Sequence, residues 1–183
     1  MTQALVIYQD ELSDSDQKMN AIKLIVATLA HFNKNHLSAE NYDTLTTNAN
    51  QYCQKLLKKS DQCEALILCL HLFLNQAYSN PDQFEKQIQK IVKIAAVSMQ
   101  NPKNLILFVH ILNKYLYFLD SHSKINIDEI NKLIDLINEH ISSIRSDGKS
   151  EEAKLSIQYF AKTLDSIKFK QTKSDRYNGI IVQ

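Results

Sequence analysis

The sequence predicts an all-α fold, a HEAT-like α-solenoid of about four antiparallel helix pairs, on three observations. First, its 183 residues include two glycines and two prolines, where average usage would place roughly 22 of the two together. Strand-rich and βα folds need such residues at their tight turns, so those classes are excluded. Phosphate loops and dinucleotide-binding turns, built on clustered glycines, are excluded with them. Second, apolar residues recur at three- and four-residue steps through most of the chain, the period of a helix with one buried side. Third, a composition 44% hydrophobic and 22% charged is too apolar for disorder and can fill a core.

The first helix is expected from about Thr2 to Leu12, ending at the acidic corner Ser13, Asp14, Ser15, Asp16, any of which can cap the next helix. The second runs to about Phe32 on Ile22, Ile25, Leu29 and Phe32. Ser38, with Glu40 behind it, caps a third helix expected to reach Lys59; the fourth then spans Ser60 to Asn75, with Asp61 and Glu64 in an acidic start. Pro81 and Pro102 each follow an asparagine and open the fifth and sixth helices at the first turn. The fifth carries Phe84, Ile88, Ile91 and Ala95 in one stripe. The sixth carries two, Leu105, Phe108, Leu112, Leu116, Leu119 and Leu107, Ile111, Phe118, which implies neighbours on both sides. In the seventh, Ile127, Ile130, Ile134, Ile137, Ile141 and Ile144 step 3-4-3-4-3 until Gly148 stops it. The eighth carries Ala153, Ile157, Phe160, Leu164 and Ile167. Residues 1–169 are thus read as the helical domain and residues 170–183 as a polar, basic tail closing on Ile180, Ile181 and Val182. Degenerate helix pairs suit a stacked solenoid, in which only the packing pattern recurs; a closed globular bundle is the competing arrangement.

A net charge of +1 supplies no global field for nucleic acid or an acidic membrane. The longest apolar run, Ala65 to Leu74, is interrupted by His71 and is about half the length that spans a bilayer. Asp10, Glu11, Asp14 and Asp16 near the start argue against a signal segment. Three cysteines, Cys53, Cys63 and Cys69, are an odd number at helical positions, as expected of reduced thiols in a cytosolic protein. Among six histidines none lies three or four residues from another, and the closest, His31 and His36, straddle a predicted loop. Cys63 and Cys69 diverge by about 120° around a helix. No catalytic residue, metal ligand or cofactor site is therefore assigned, and the chain is read as no enzyme; its rival is an active site gathered from several loops.

Lys55, Lys58 and Lys59 form a basic cluster, and Lys168, Lys170, Lys173 and Arg176 another; both read first as cations complementing helix C-termini. Two features leave alternatives open. His71 lies in a segment apolar around nearly its whole circumference, either as a core histidine satisfied by a carbonyl or as an anchor for a partner. His110, Asn113 and Tyr117 share one helix face, either solvated or a binding face rich in interface-prone side chains.

Four stretches, in order along the chain, resemble one family. They are Tyr8-Gln9-Asp10-Glu11-Leu12-Ser13-Asp14-Ser15; Leu56-Leu57-Lys58-Lys59-Ser60-Asp61-Gln62-Cys63 with His71-Leu72-Phe73; the run from Leu107 to Phe118; and Tyr177-Asn178-Gly179-Ile180-Ile181-Val182. Together they resemble the C-terminal portion of the vacuolar protein sorting-associated protein 35 family, the large subunits of retromer. The resemblance implies a right-handed α-solenoid, cytoplasmic and peripheral on endosomes, that scaffolds endosome-to-Golgi transport and recycling. Its implied partner is the small metallophosphoesterase-fold subunit, vacuolar protein sorting-associated protein 29, met by His71, Phe73, Leu74, His110, Asn113 and Tyr117. It also implies self-association between Asp10 and Glu11 on one copy and Lys55, Lys58 and Lys59 on another, with Gln9 standing where the family usually has an acid. Recruitment of the WASH complex is a further implication, and contact with membrane is only indirect. The N-terminal solenoid of the family has no counterpart in these residues. The alternative function is a general helical-repeat adaptor for a peptide or helix.

Overall fold

In the computed structural model, residues 2–97, 104–121, 125–146 and 151–182 are described. Among them there are eight α-helices and no strand: α1 Thr2–Asp10, α2 Ser15–Ala30, α3 Ala39–Gln54, α4 Lys59–Phe73, α5 Pro81–Val97, α6 Leu105–Ser121, α7 Ile127–Ser146 and α8 Glu151–Gln171. A 3₁₀ turn follows at Asp175–Tyr177. The all-α expectation holds. The chain divides into two compact units, Met1–Ile94 and Ala95–Gln183.

The helix starts follow from short polar side chains. The Asp14 carboxylate accepts from the amides of Asp16 (3.0 Å) and Gln17 (2.9 Å), two donors that the first turn of α2 cannot pair internally. Ser38 caps α3 through the Asn41 amide at 3.3 Å. Asn80 accepts from the Gln83 amide at 3.2 Å beside Pro81, the first residue of α5. Pro102 and Gly148, the expected start of α6 and stop of α7, lie outside the described residues.

One boundary differs in a way that matters. The third helix does not reach Lys59; it stops at Gln54, and α4 begins at Lys59. Leu56 causes the break. Its side chain is buried in the core, and the buried Gln62 carboxamide donates to its carbonyl at 2.6 Å. That bond satisfies an acceptor a continuing helix would have used. Lys55 is therefore the C-cap of α3, but Lys58 and Lys59 sit at the start of α4. The reading of all three lysines as C-terminal cations is corrected: two of them oppose the α4 dipole.

In the first unit, α2 and α4 run parallel, their C-terminal ends joined where Asn75 Nδ2 donates to the carbonyls of Ala30 (3.1 Å) and Phe32 (3.2 Å). The odd helices form the other layer. Tyr8 of α1 meets Tyr52 of α3 with ring centroids 5.0 Å apart, and Lys90 of α5 donates to Gln54 at 2.5 Å. Between the layers α3 runs antiparallel to α4, with the Tyr42 hydroxyl donating to the Leu72 carbonyl at 3.0 Å.

The second unit repeats this plan. Helices α6 and α8 are parallel, tied by Asn113 and Thr163 at 3.2 Å and by Asp120 and Lys170. Helix α7 packs antiparallel, with Phe108 against His140 at 5.5 Å. Both stripes of α6 are buried, as the sequence requires. In α7, Ile130, Ile134, Ile137, Ile141 and Ile144 are buried, and Ile127 partly so. Past α8 the chain folds back: Tyr177 is 1% exposed and Ile180 4%. Asn131 brackets the returning strand of backbone, donating to the Gly179 carbonyl at 3.0 Å and accepting from the Ile181 amide at 2.9 Å. At Gly179 an added Cβ would stand 3.2 Å from Ile127 Cγ2, so a larger residue there requires Ile127 to give by a few tenths of an ångström.

Candidate functional site

Helix α4 is buried on most of its surface, including Cys63, Ala65, Leu66, Ile67, Cys69, Leu70 and Leu72. From Asp61 onward the positions not buried are Asp61, Glu64, Leu68, His71 and, just past the helix, Asn75. They step 3-4-3-4, so they form one accessible stripe with His71 near its end. His71 is half-buried, neither sealed in the core nor fully solvated. Phe73 and Leu74, expected at the same contact, are buried side chains at 9% and 6% exposure and lie off that stripe.

Helix α6 presents a second stripe. Ile106, His110, Asn113 and Lys114 are half-buried, and Tyr117 is 52% exposed. The Lys114 ammonium lies 5.4 Å from the Tyr117 ring centroid, and burial pushes that lysine's pKa down. His110 meets Tyr159 of α8 edge-on at 6.1 Å. Leu155, one turn before Tyr159, is 63% exposed. The half-buried Asn113 donates its carboxamide to Val109 and to Thr163, so it also holds α8 in place. Tyr159 and Leu155 were missed in the sequence because α8 carries its core stripe elsewhere and only the parallel packing of α6 and α8 brings them beside His110.

A charged corner lies at the α1 and α3 ends of the first unit. Tyr52 donates to Gln9 Oε1 at 2.9 Å, and the Lys55 ammonium stands 5.5 Å from the Tyr52 ring. Asp10 and Glu11 follow Gln9, and Lys58 and Lys59 follow across the Leu56 turn; all five charges are exposed. Asp10 ends α1, where the dipole disfavours an acid, and Lys59 begins α4, where it disfavours a cation. The helix dipole explains neither charge, and the Lys59 ammonium instead donates to Gln62 Oε1 at 3.1 Å.

Beside the C-terminal end of α4 is a cleft of about 360 Å³ whose lining includes Lys34, Tyr42, Asp43, Phe73 and Tyr78. The Tyr42 and Tyr78 rings stack at 4.0 Å and 14°. Burial pushes the Tyr42 phenol up to about 12, so it stays a donor at neutral pH. His31 Nδ1 is bonded to the Ala27 carbonyl at 2.7 Å, and His36 Nδ1 accepts from the Asn33 amide at 3.3 Å. His122 lies outside the described residues. Among the described residues no three His, Cys, Asp or Glu side chains group to hold a metal, and no helix is long and apolar enough to cross a membrane.

Layered helices that, within each unit, leave a half-buried stripe on one helix define a protein of the helical-repeat class. The profile of the family described as vacuolar protein sorting-associated protein 35 matches residues 1–140, and the chain belongs to that family. Vacuolar protein sorting-associated protein 35A of Arabidopsis thaliana is 35% identical over 99% of this chain and 24% of its own length. The fission yeast Schizosaccharomyces pombe protein 35 is 34% identical over 78% of this chain and 18% of its own. The Dictyostelium discoideum protein 35 is 28% identical over 98% and 21%. The chain thus spans about a quarter or less of the curated relatives it matches.

Proposed function

We propose that this chain is a non-enzymatic scaffold segment of retromer, working in endosome-to-Golgi transport and recycling from the cytoplasmic face of endosomes. It docks vacuolar protein sorting-associated protein 29 on the accessible stripe of α4. The observation that carries the reading is the α4 stripe: a helix apolar on its other sides leaves an accessible, mostly polar line with His71 near its end. Such a line, rimmed by apolar atoms, suits a partly desolvated contact with a folded subunit. Within the second unit, His110, Tyr117, Tyr159 and Leu155 form a contact surface of their own, with Asn113 fixing α8 behind them. Phe73 and Leu74 support His71 from the core.

The test is titration of the purified small subunit against the chain. His71→Asp is expected to weaken binding by about tenfold or more while the melting temperature of the free chain stays unchanged. Equal loss of thermal stability would return His71 to the role of a core residue.

The charged corner supports self-association, because exposed acids at Asp10 and Glu11 and exposed cations at Lys55, Lys58 and Lys59 in the same unit can pair with those of a second copy across a two-fold axis. Reversing the three lysines to glutamate is expected to abolish the self-associated species in sedimentation and with it the sensitivity to salt. Unchanged self-association would place the contact elsewhere. Recruitment of the WASH complex belongs to the same proposal. The second reading, a peptide-binding adaptor, is favoured by the Tyr42–Tyr78 cleft; it requires an isolated peptide to bind with affinity lost on Tyr78→Ala.

A further inference from the structure

Cys53 and Cys69 lie in different helices, one residue before the end of α3 and near the last turn of α4, yet their sulfurs are 3.3 Å apart. Both are fully buried. A disulfide bond is about 2.05 Å long, so closure needs an approach of roughly 1.3 Å. The non-helical turn after Gln54 lets the end of α3 supply it. Cys63 is placed differently: its Sγ faces the Ile91 carbonyl of α5 at 4.0 Å. We propose that Cys53 and Cys69 are an oxidisable dithiol site, which closes to a disulfide linking α3 to α4 when the chain meets a peroxide.

The chemistry balances with hydrogen peroxide as the oxidant. One sulfur attacks a peroxide oxygen; the O–O bond breaks, water leaves and a sulfenic acid forms. The second sulfur then attacks the sulfenic sulfur; the S–O bond breaks, a second water leaves and the disulfide forms. Two thiol hydrogens end on oxygen, and the two electrons lost by the sulfur pair reduce the O–O bond. The hydrogen bond with Cys53, together with burial, holds the Cys69 thiol well above its usual pKa, so the first step is slow and follows local opening. The second is fast, because the resolving sulfur already stands in contact. Cys63, whose thiol burial pushes up to about 11, has no such resolving partner at its sulfur. The cross-link would close the segment that carries the Leu56 turn and Lys55, Lys58 and Lys59, and would anchor α4 two residues before His71.

The experiment incubates the whole reduced chain with hydrogen peroxide, alkylates it, and maps it by mass spectrometry without reduction. The expected product is a Cys53–Cys69 linked peptide, two hydrogens lighter than its parts and released by dithiothreitol, with Cys63 recovered alkylated. The oxidised chain should also melt about 5 °C or more above the reduced one. Cys63→Ser should keep the cross-link; Cys53→Ser should lose it and carry Cys69 on to sulfinic acid. Recovery of Cys53 and Cys69 as alkylated thiols, sulfinic acid at either in the unaltered chain, or Cys63 in the linked product would each overturn the proposal.

Discussion

Replacing Tyr42 with alanine is expected to lower the stability of the chain by about 3–5 kcal/mol, the range for deleting a buried aromatic side chain. Three losses coincide there. The ring, 3% exposed, leaves a cavity between α3 and α4; the stacked Tyr78 ring loses its partner; and the Leu72 carbonyl loses its donor. Tyr42→Phe separates them. It keeps ring and stack, removes only the hydroxyl, and should cost about 1–2 kcal/mol. Urea unfolding midpoints at constant slope measure both. The large variant should also free the Tyr78 hydroxyl from the Leu37 carbonyl, which it now meets at 2.6 Å, and so loosen the cleft. Equal midpoints for the two variants would mean that the hydroxyl, not the ring, joins the helices.

The second large effect is expected at Tyr177, where alanine should again cost about 3–5 kcal/mol. This ring is nearly fully buried, and its hydroxyl donates to Asp120 Oδ1 at 2.6 Å while accepting from Lys170 at 3.0 Å. Arg176 donates to the Asp120 carbonyl at 2.6 Å, and Gln171 to the Ile180 carbonyl at 2.8 Å, so the returning segment is fastened at several points. The cluster gives stability two pH limits. Burial raises the Asp120 pKa, but hydrogen bonds from Lys170 and Tyr177 and the charges of Lys170 and Arg176 outweigh it and hold the carboxyl below its usual value. Its stabilisation is present above the unfolded pKa and is lost as pH falls through the folded one. Burial lowers the Lys170 pKa, but bonds to Asp120 and Tyr177 raise it overall, and burial with the Asp120 bond raises that of Tyr177. Those contributions are present below the unfolded values and are lost as pH rises through the folded ones. Asp120→Asn should therefore flatten the acid limb of a melting-temperature profile. An unchanged acid limb would place the acid sensitivity outside this cluster.

Helix number, order and most core positions were legible because α5, α6 and α7 show their periodicity without interruption. The false continuation of α3 to Lys59 shows the limit of that reading. Leu56 keeps an apolar residue on a plausible helical step, and only the distant Gln62 side chain reveals that the backbone turns there. At the candidate site, His71 stood out in the sequence as one polar residue among apolar ones. Phe73 and Leu74 could not be sorted from it, since neighbours in a run differ by where the packing closes. Tyr159 beside His110, and Cys53 beside Cys69, depend on contacts between helices and leave no local trace.

The turn at Leu56 also separates two kinds of inheritance. Its geometry is held by an inward leucine and by a glutamine that donates to backbone through its amide nitrogen and accepts from Lys59 at 3.1 Å through its oxygen, while Lys55 and Lys58 take no part in that bond. Charge at Lys55 and Lys58 can therefore drift, reverse or vanish among descendants of this gene without disturbing the helices beneath, whereas a change at Lys59 also removes a bond to the glutamine that fixes the turn.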